Sequence, residues 1–157
     1  MAADAREIVI PALLRAARGA YAHAVRARLA EGGFDDLPAN GPYVLGGMAN
    51  RGGTAGDLVR QLGVSRQATS QLIDTLVLRG YLERDPDPGD RRRMTIELTD
   101  RGRSAAAAVR AGVEAVDDEL AGMLTPAQLA GLADGLVALC TIRERMEDEL
   151  NRRPATS

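Results

Sequence analysis

Residues 57–102 read DLVRQLGVSRQATSQLIDTLVLRGYLERDPDPGDRRRMTIELTDRG, and this stretch decides the fold. Just before it, Thr54 is placed to cap a helix that runs to Leu62, with Asp57 in the position of a capping box. Gly63 breaks that helix, and Ser65 caps a second one that we expect to run to Arg79 and stop at Gly80. Two short helices separated by a tight turn predict a helix-turn-helix.

The second helix of this pair has two different faces. Ala68, Leu72 and Leu76 recur at helical spacing and predict a buried side. The opposite side carries Arg66, Gln67, Ser70, Gln71 and Asp74. Forked and short hydrogen-bonding side chains on the first two turns are typical of a helix that reads base edges in the major groove. The alternative interpretation is an ordinary solvated helix face.

A β-hairpin is predicted directly after this helix. Leu82–Arg84 forms one strand, and Met94–Leu98 forms the other with clean alternation of apolar and polar residues. Between them, residues 85–90 contain two prolines and a glycine, which predicts a loop, and Arg91, Arg92 and Arg93 follow it. Arginine suits a narrow minor groove, so the hairpin is interpreted as a DNA-binding wing. Alternatively, these arginines pair with the neighbouring aspartates.

The flanking segments are helical. Apolar residues spaced three to four apart predict a long helix over residues 4–31, which ends at Gly32-Gly33. A short apolar helix is predicted over residues 38–50. Residues 104–151 predict further helix, with Thr125-Pro126 as a strong start signal. The last helix carries leucines at near-heptad spacing, which favour a dimer interface over plain core. Residues 152–157 are expected to be a disordered tail.

The amino-acid composition argues against several classes of function. Of 157 residues, 45% are hydrophobic and 27% charged, as in a globular chain. One cysteine (Cys140) and one histidine (His23) exclude an internal disulfide and a Cys/His zinc site, so no metal or cofactor is expected. No Ser/His/Asp set and no phosphate-binding loop occur, so we predict that the protein is not an enzyme. No segment has the length and apolarity of a membrane span or signal peptide, which predicts a cytoplasmic location.

The distribution of charge singles out the middle of the chain. The net charge is −2, but residues 51–103 carry ten arginines against eight acidic residues. Residues 104–157 carry five arginines against nine acidic residues and are expected to face away from DNA. Cys140 is interpreted as a small residue of the core or of the dimer face, rather than as a redox switch.

Residues 57–102 resemble the MarR family of bacterial transcription regulators. The specific part is the wing element, Asp85-Pro86 and Asp90-Arg91-Arg92, followed by a helix start at Leu98-Thr99 and Gly102. The resemblance implies that Asp90 is the wing-tip acid and Arg92 the arginine of the minor groove. It also implies a mainly α, winged helix-turn-helix fold in one domain over 1–157, with the winged unit at 38–103 between dimerisation helices at 4–31 and 104–151.

The function that follows is a homodimeric, sequence-specific DNA-binding regulator, interpreted as a repressor on a palindromic operator. The predicted DNA contacts are Ser65, Arg66, Gln67, Thr69, Ser70, Gln71, Asp90, Arg91 and Arg92. Family members have a cleft between the dimer helices and the winged unit, where many bind a small aromatic or phenolic effector that releases DNA. The residues predicted to line it here are Tyr21, His23, Tyr43 and Met48. The alternative is a winged-helix scaffolding module that binds protein and no specific DNA.

Overall fold

The computed structural model describes residues 10–51, 65–86 and 94–152, and within them the chain is mainly helical. The elements are α1 (Ile10–Glu31), α2 (Gly41–Arg51), α3 (Arg66–Leu78), β1 (Leu82–Pro86), β2 (Met94–Leu98), α4 (Asp100–Met123) and α5 (Pro126–Arg152). This confirms the predicted fold class. The predicted helix from Thr54 to Leu62 lies outside the described residues. The chain divides into two compact units, residues 1–116 and residues 117–157.

Helix α3 is closed at both ends by its own sequence, as predicted. The Ser65 hydroxyl accepts a hydrogen bond from the backbone N–H of Ala68 at 3.2 Å. At the other end Gly80 adopts a φ of +71°, and the N–H groups of Gly80 and Tyr81 each donate to a carbonyl of the last turn at 2.9 Å. This is a Schellman motif, which needs a residue without a β-carbon at the left-handed position.

The hairpin is antiparallel, and Leu82 pairs with Leu98 at its base. Strand β2 has the predicted bounds, but β1 is two residues longer than the expected Leu82–Arg84, because Asp85 and Pro86 belong to the strand and not to the loop. The prediction failed because a two-stranded ribbon tolerates a proline at a strand end, where the missing N–H costs no ladder bond. The hydroxyl of Thr95 donates to the carbonyl of Asp85 at 3.2 Å and supports this extra pairing.

One hydrophobic core joins these elements in the first unit. It consists of Leu29, Val44, Leu45, Ile73, Leu76, Tyr81, Leu82, Ala105, Ala106 and Val109. The small residues of α4 let other elements approach its backbone. A β-carbon at Gly112 would lie 2.6 Å from the Cα of Val25, so α1 and α4 cross almost backbone to backbone there. A β-carbon at Gly102 would collide with the carbonyl oxygen of Tyr81.

The start of α5 also follows its sequence signal. The side-chain oxygen of Gln128 accepts from the N–H of Thr125 at 2.9 Å, and the Thr125 hydroxyl accepts from the N–H of Gln128 at 3.4 Å. This reciprocal pair is the predicted capping box, and Pro126 occupies the first helical position. In α1, Pro11 falls in the first turn, and the helix ends at Glu31 before the predicted Gly32-Gly33.

Candidate nucleic-acid interface and effector cleft

The outer face of α3 is the structural counterpart of the predicted major-groove surface. Gln67, Ser70 and Gln71 are exposed on its first two turns, while Ile73 and Leu76 are buried on the opposite side. Arg66 is the first residue of the helix. The two remaining predicted contacts are engaged in the helix start itself, since Ser65 is the cap and the hydroxyl of half-buried Thr69 donates to the Ser65 carbonyl at 3.0 Å.

An ion pair ties α3 to the hairpin. The Arg84 guanidinium on β1 bonds to the Asp74 carboxylate, and both side chains are about half exposed. Helical periodicity predicts that Asp74 lies on the polar face of α3, but it cannot predict Arg84 as the partner, because the two residues belong to different elements. The pair neutralises the Asp74 carboxylate and connects the hairpin to α3.

The predicted wing-tip contacts lie outside the described residues. The described strands reach Pro86 and Met94, and Asp90, Arg91 and Arg92 fall between these two residues in the sequence. Their roles therefore stay predictions.

A cluster of four side chains, which we call the junction, joins the base of the hairpin to the loop after α1. It consists of Phe34, Asp36, Tyr81 and Arg101. The Tyr81 hydroxyl donates to Asp36 Oδ1 at 2.5 Å, and Arg101 Nη2 donates to the same oxygen at 3.0 Å. The Arg101 guanidinium lies 4.3 Å from the centroid of the Tyr81 ring, which Phe34 meets edge-on at 6.2 Å between centroids.

The junction shifts the pKa values of two of its members. Burial, together with the hydrogen bond to Asp36, raises the pKa of Tyr81 from 10.0 to about 12. The hydrogen bond from Tyr81 is the main cause that lowers the pKa of Asp36. Because the folded pKa of Tyr81 is the higher one, its contribution to stability is complete below pH 10 and is lost as pH rises through about 12. Neither group changes charge near neutral pH.

A cleft of about 1320 Å³ lies among α1, α2, the loop between them and α4. Three of the four residues predicted to bind an effector line it, namely Tyr21, His23 and Tyr43. Met48 does not line it, because this side chain packs against the hydrophobic core instead. The cleft also has charged lining residues that no sequence pattern predicted, namely Arg18, Arg26, Arg110 and Asp35. Arg110 donates to the Asn50 side chain at 2.9 Å and so links α4 to α2.

We also searched the described residues for a metal site and for a membrane-spanning helix. They contain no group of three or more His, Cys, Asp or Glu side chains that could hold a metal ion. None of the helices found in the described ranges is both long and apolar enough to cross a membrane.

Comparison with known proteins agrees with this geometry. A family model described as MarR family matches residues 36–93. RV1404 from Mycobacterium tuberculosis is 26% identical over 90% of this chain and 96% of its own, with a TM-score of 0.63. Residues 36–93 thus resemble the MarR family, and the described residues have the mainly helical fold of winged-helix structures of that family. Among curated proteins, none matches the sequence.

Two further structures share the MarR-family fold at lower identity. FabT of Streptococcus pneumoniae, solved in complex with DNA, has a TM-score of 0.71 at 19% identity, over 87% of this chain and 96% of its own. PcaV of Streptomyces coelicolor, a transcriptional regulator solved with its natural ligand, has a TM-score of 0.63 at 20% identity, over 90% and 98%.

The MarR-family match covers only part of the sites described above. Residues 36–93 include α2, α3, β1 and two members of the junction, Asp36 and Tyr81. Phe34, Arg101 and the cleft residues on α1 and α4 lie outside the matched segment. The junction was missed by sequence reasoning because its members are up to 67 positions apart, from Phe34 to Arg101. The signal that could have found it is Tyr81, a tyrosine at the buried position after a helix-ending glycine, whose hydroxyl needs a partner.

Proposed function

We propose that this chain is a MarR-family transcription regulator that binds specific DNA sequences, acts as a homodimer and represses from a palindromic operator. The observation that carries the proposal is α3, whose exposed first turns present Gln67, Ser70 and Gln71 from a helix capped at both ends. A rigid helix with such side chains meets the requirement for reading base edges. The DNA complex of the similarly folded FabT supports the same use of the fold. A regulator of this kind works in the cytoplasm.

Selection of bound sequences from a random DNA pool at about 100 mM salt tests this proposal. We expect a palindrome whose half-sites are about 34–36 Å apart, the spacing of two recognition helices in successive major grooves. If a dimer neutralises about 6–8 phosphates, log K falls with log salt at a slope of about −0.9 per contact. Recovery of no motif, with no DNA retained even at low salt, would contradict the proposal and favour the scaffolding module.

The homodimer is supported by apolar side chains that the single chain leaves uncovered. On α5, Leu132, Leu136, Leu139 and Met146 lie along one face of the helix, and each is about two-fifths or more exposed. At the start of α1, Ile10, Leu13 and Leu14 are exposed as well. An apolar stripe of this length along α5 is typical of an interaction surface. We assign it to a second copy of the same chain, because the operator proposed above is two-fold symmetric.

Leu136→Glu is expected to weaken self-association by about 2–4 kcal/mol, because a charge would be buried at the centre of the stripe. Sedimentation equilibrium over a range of protein concentrations measures the dimer dissociation constant. Ala138→Glu is the matched control, since it introduces the same charge two residues away on the opposite face of α5. Equal effects of the two substitutions, or none from Leu136→Glu, would show that the stripe is not the dimer interface.

The cleft is proposed to take a small aromatic anion as effector. Its lining combines the rings of Tyr21 and Tyr43 with three arginines, against one aspartate. The ligand complex of PcaV supports effector binding in a protein of this fold. A ligand that fits one spacing of the two winged units better than another changes DNA affinity by its differential binding.

Titration calorimetry with 4-hydroxybenzoate and with uncharged benzamide tests this chemistry. We expect the acid to bind more tightly than the amide. Arg26→Gln is expected to lower the affinity for the acid about fivefold or more, because a charge-assisted contact is lost. Equal binding of acid and amide, or of neither, would exclude an anion-selective cleft. Arg15→Gln serves as the control, because Arg15 is exposed on the same helix and does not line the cleft.

A further inference from the structure

The junction stands between the cleft and the recognition helix, and Phe34 belongs to both. This residue lines the cleft, and its ring meets the Tyr81 ring at an interplanar angle of 60°. The next residue, Asp35, also lines the cleft, and Asp36 beside it accepts the hydrogen bonds of Tyr81 and Arg101. A movement of residues 34–35 in the cleft wall therefore displaces members of the junction directly, because Phe34 belongs to it and Asp36 follows Asp35 in the chain.

The other side of the junction holds the carboxyl end of α3. Arg101 Nη1 donates to the carbonyl of Arg79, the C-cap residue, at 2.5 Å. The N–H of Tyr81 donates to the carbonyl of Leu76 in the last turn at 2.9 Å. Thr99, two residues before Arg101, donates to the Gly80 carbonyl at 2.6 Å. These contacts thus join the side chains of Phe34 and Asp36, beside the cleft, to the backbone at the end of α3.

We infer that the junction transmits occupancy of the cleft to the recognition helix, with Arg101 as the positioning residue that holds the end of α3 to the loop of the cleft wall. The inference rests on the proposed function, since it assumes that the cleft takes a ligand and that α3 meets DNA. The Arg101–Asp36 ion pair is about two-fifths exposed on both sides, so breaking it costs little. Coupling between two sites needs an element of this kind, whose equilibrium both sites bias.

A competing route runs through the core. Helix α2 lines the cleft with Tyr43 and Gly46, and it also buries Val44 and Leu45 beside Leu76 of α3. A signal carried by this packing would not depend on the polar contacts of the junction. The experiment must therefore remove those contacts without changing the core.

A tethered ligand makes the test independent of effector identity. In a Cys140→Ser background, which removes the only native thiol, Ala30→Cys places a thiol in the cleft one turn before Phe34. Alkylation with 4-(bromomethyl)benzoate then fixes an aromatic carboxylate there, and methylthiolation provides a small, uncharged reference. Hydrogen exchange of the backbone amides of residues 76–81 reports on the end of α3 without any DNA.

We expect the benzoate label to change exchange at residues 76–81 by about fivefold or more relative to the reference, a size typical of coupling between sites. Tyr81→Phe, which removes only the hydroxyl, and Arg101→Gln are expected to abolish that change. Arg103→Gln is the matched control, because Arg103 also makes one ion pair, with Asp100, and one bond to a carbonyl, that of Leu98, yet has no part in the junction. Near-ultraviolet circular dichroism checks that each variant keeps the native packing.

Two outcomes would overturn the inference. One is the absence of any change at residues 76–81 on labelling the parent chain, and the other is a change that persists in both junction variants, as a route through the core requires. Operator affinity of the same labelled proteins separates this inference from the proposed function. If exchange responds as expected but no variant binds selected DNA, the junction stands and the regulator assignment fails.

Discussion

Gly102→Ala is expected to lower the free energy of unfolding by about 3 kcal/mol, the upper part of the usual range for overpacking. The new β-carbon would collide with the carbonyl oxygen of Tyr81, a backbone atom that cannot move aside like a flexible side chain. That carbonyl already accepts the N–H of Thr99 at 3.2 Å, and Thr99 in turn caps α4 by accepting the N–H of Gly102 at 3.0 Å. The substitution thus separates α4 from the base of the hairpin. Urea unfolding followed by circular dichroism, at one fixed protein concentration, measures the effect.

Gly122→Ala on the same helix is the control. A β-carbon at Gly122 meets no atom within 4 Å, so alanine there gains helix propensity without a clash. We expect this variant to be stabilised by about 0.5–1 kcal/mol. Similar destabilisation of both variants would mean that the close approach at Tyr81 is not the reason that residue 102 is glycine.

Gln67→Ala and Arg92→Ala are expected to weaken operator binding in two distinguishable ways. Gln67 is exposed on the first turn of α3, and its loss is expected to cost about 1–3 kcal/mol and to relax the base preference at one operator position. Arg92, assigned to the minor groove by resemblance, is expected to weaken binding to all sequences and to reduce the salt slope by about 1. Fluorescence anisotropy with the selected operator and single-base variants, at several salt concentrations, separates the two effects.

Glu114→Gln provides the reference for these measurements, because Glu114 is exposed on α4 outside the predicted DNA contacts. Unchanged affinity for both Gln67→Ala and Arg92→Ala would refute this assignment of contacts. It would not by itself refute DNA binding, which the random-pool selection tests separately.

The cleft shows how composition can point to a site without defining it. Aromatic residues are few in this chain, so Tyr21 and Tyr43 stand out as candidates in the sequence, and both do line the cleft. The soft side chain of Met48 also suggests a cleft residue, but its place on α2 packs it against the core. The arginines that give the cleft its charge could not be chosen from the sequence, because arginine is distributed over the whole chain.

Local signals account for the parts of the fold that the sequence alone determined. The caps of α3, the helix-ending Gly80, the capping box at Thr125 and the bounds of β2 all depend on residues within about five positions of one another. Such short-range hydrogen bonding and backbone preference act before any tertiary contact forms, so these features can be derived from the chain itself. The polar face of α3 followed from helical periodicity for the same reason.

Only the tertiary structure decided the contacts that join these elements. The ion pair of Arg84 with Asp74, the junction around Tyr81 and the close approaches at Gly102 and Gly112 link residues that no local pattern relates. Their partners are set by how the helices and the hairpin pack on one core. There, a glycine allows a close approach by a backbone segment that is distant in sequence, and a buried hydroxyl bonds to a side chain that is distant in sequence. The sequence therefore determined which elements form and which face of α3 is polar, whereas packing determined what holds that face in place.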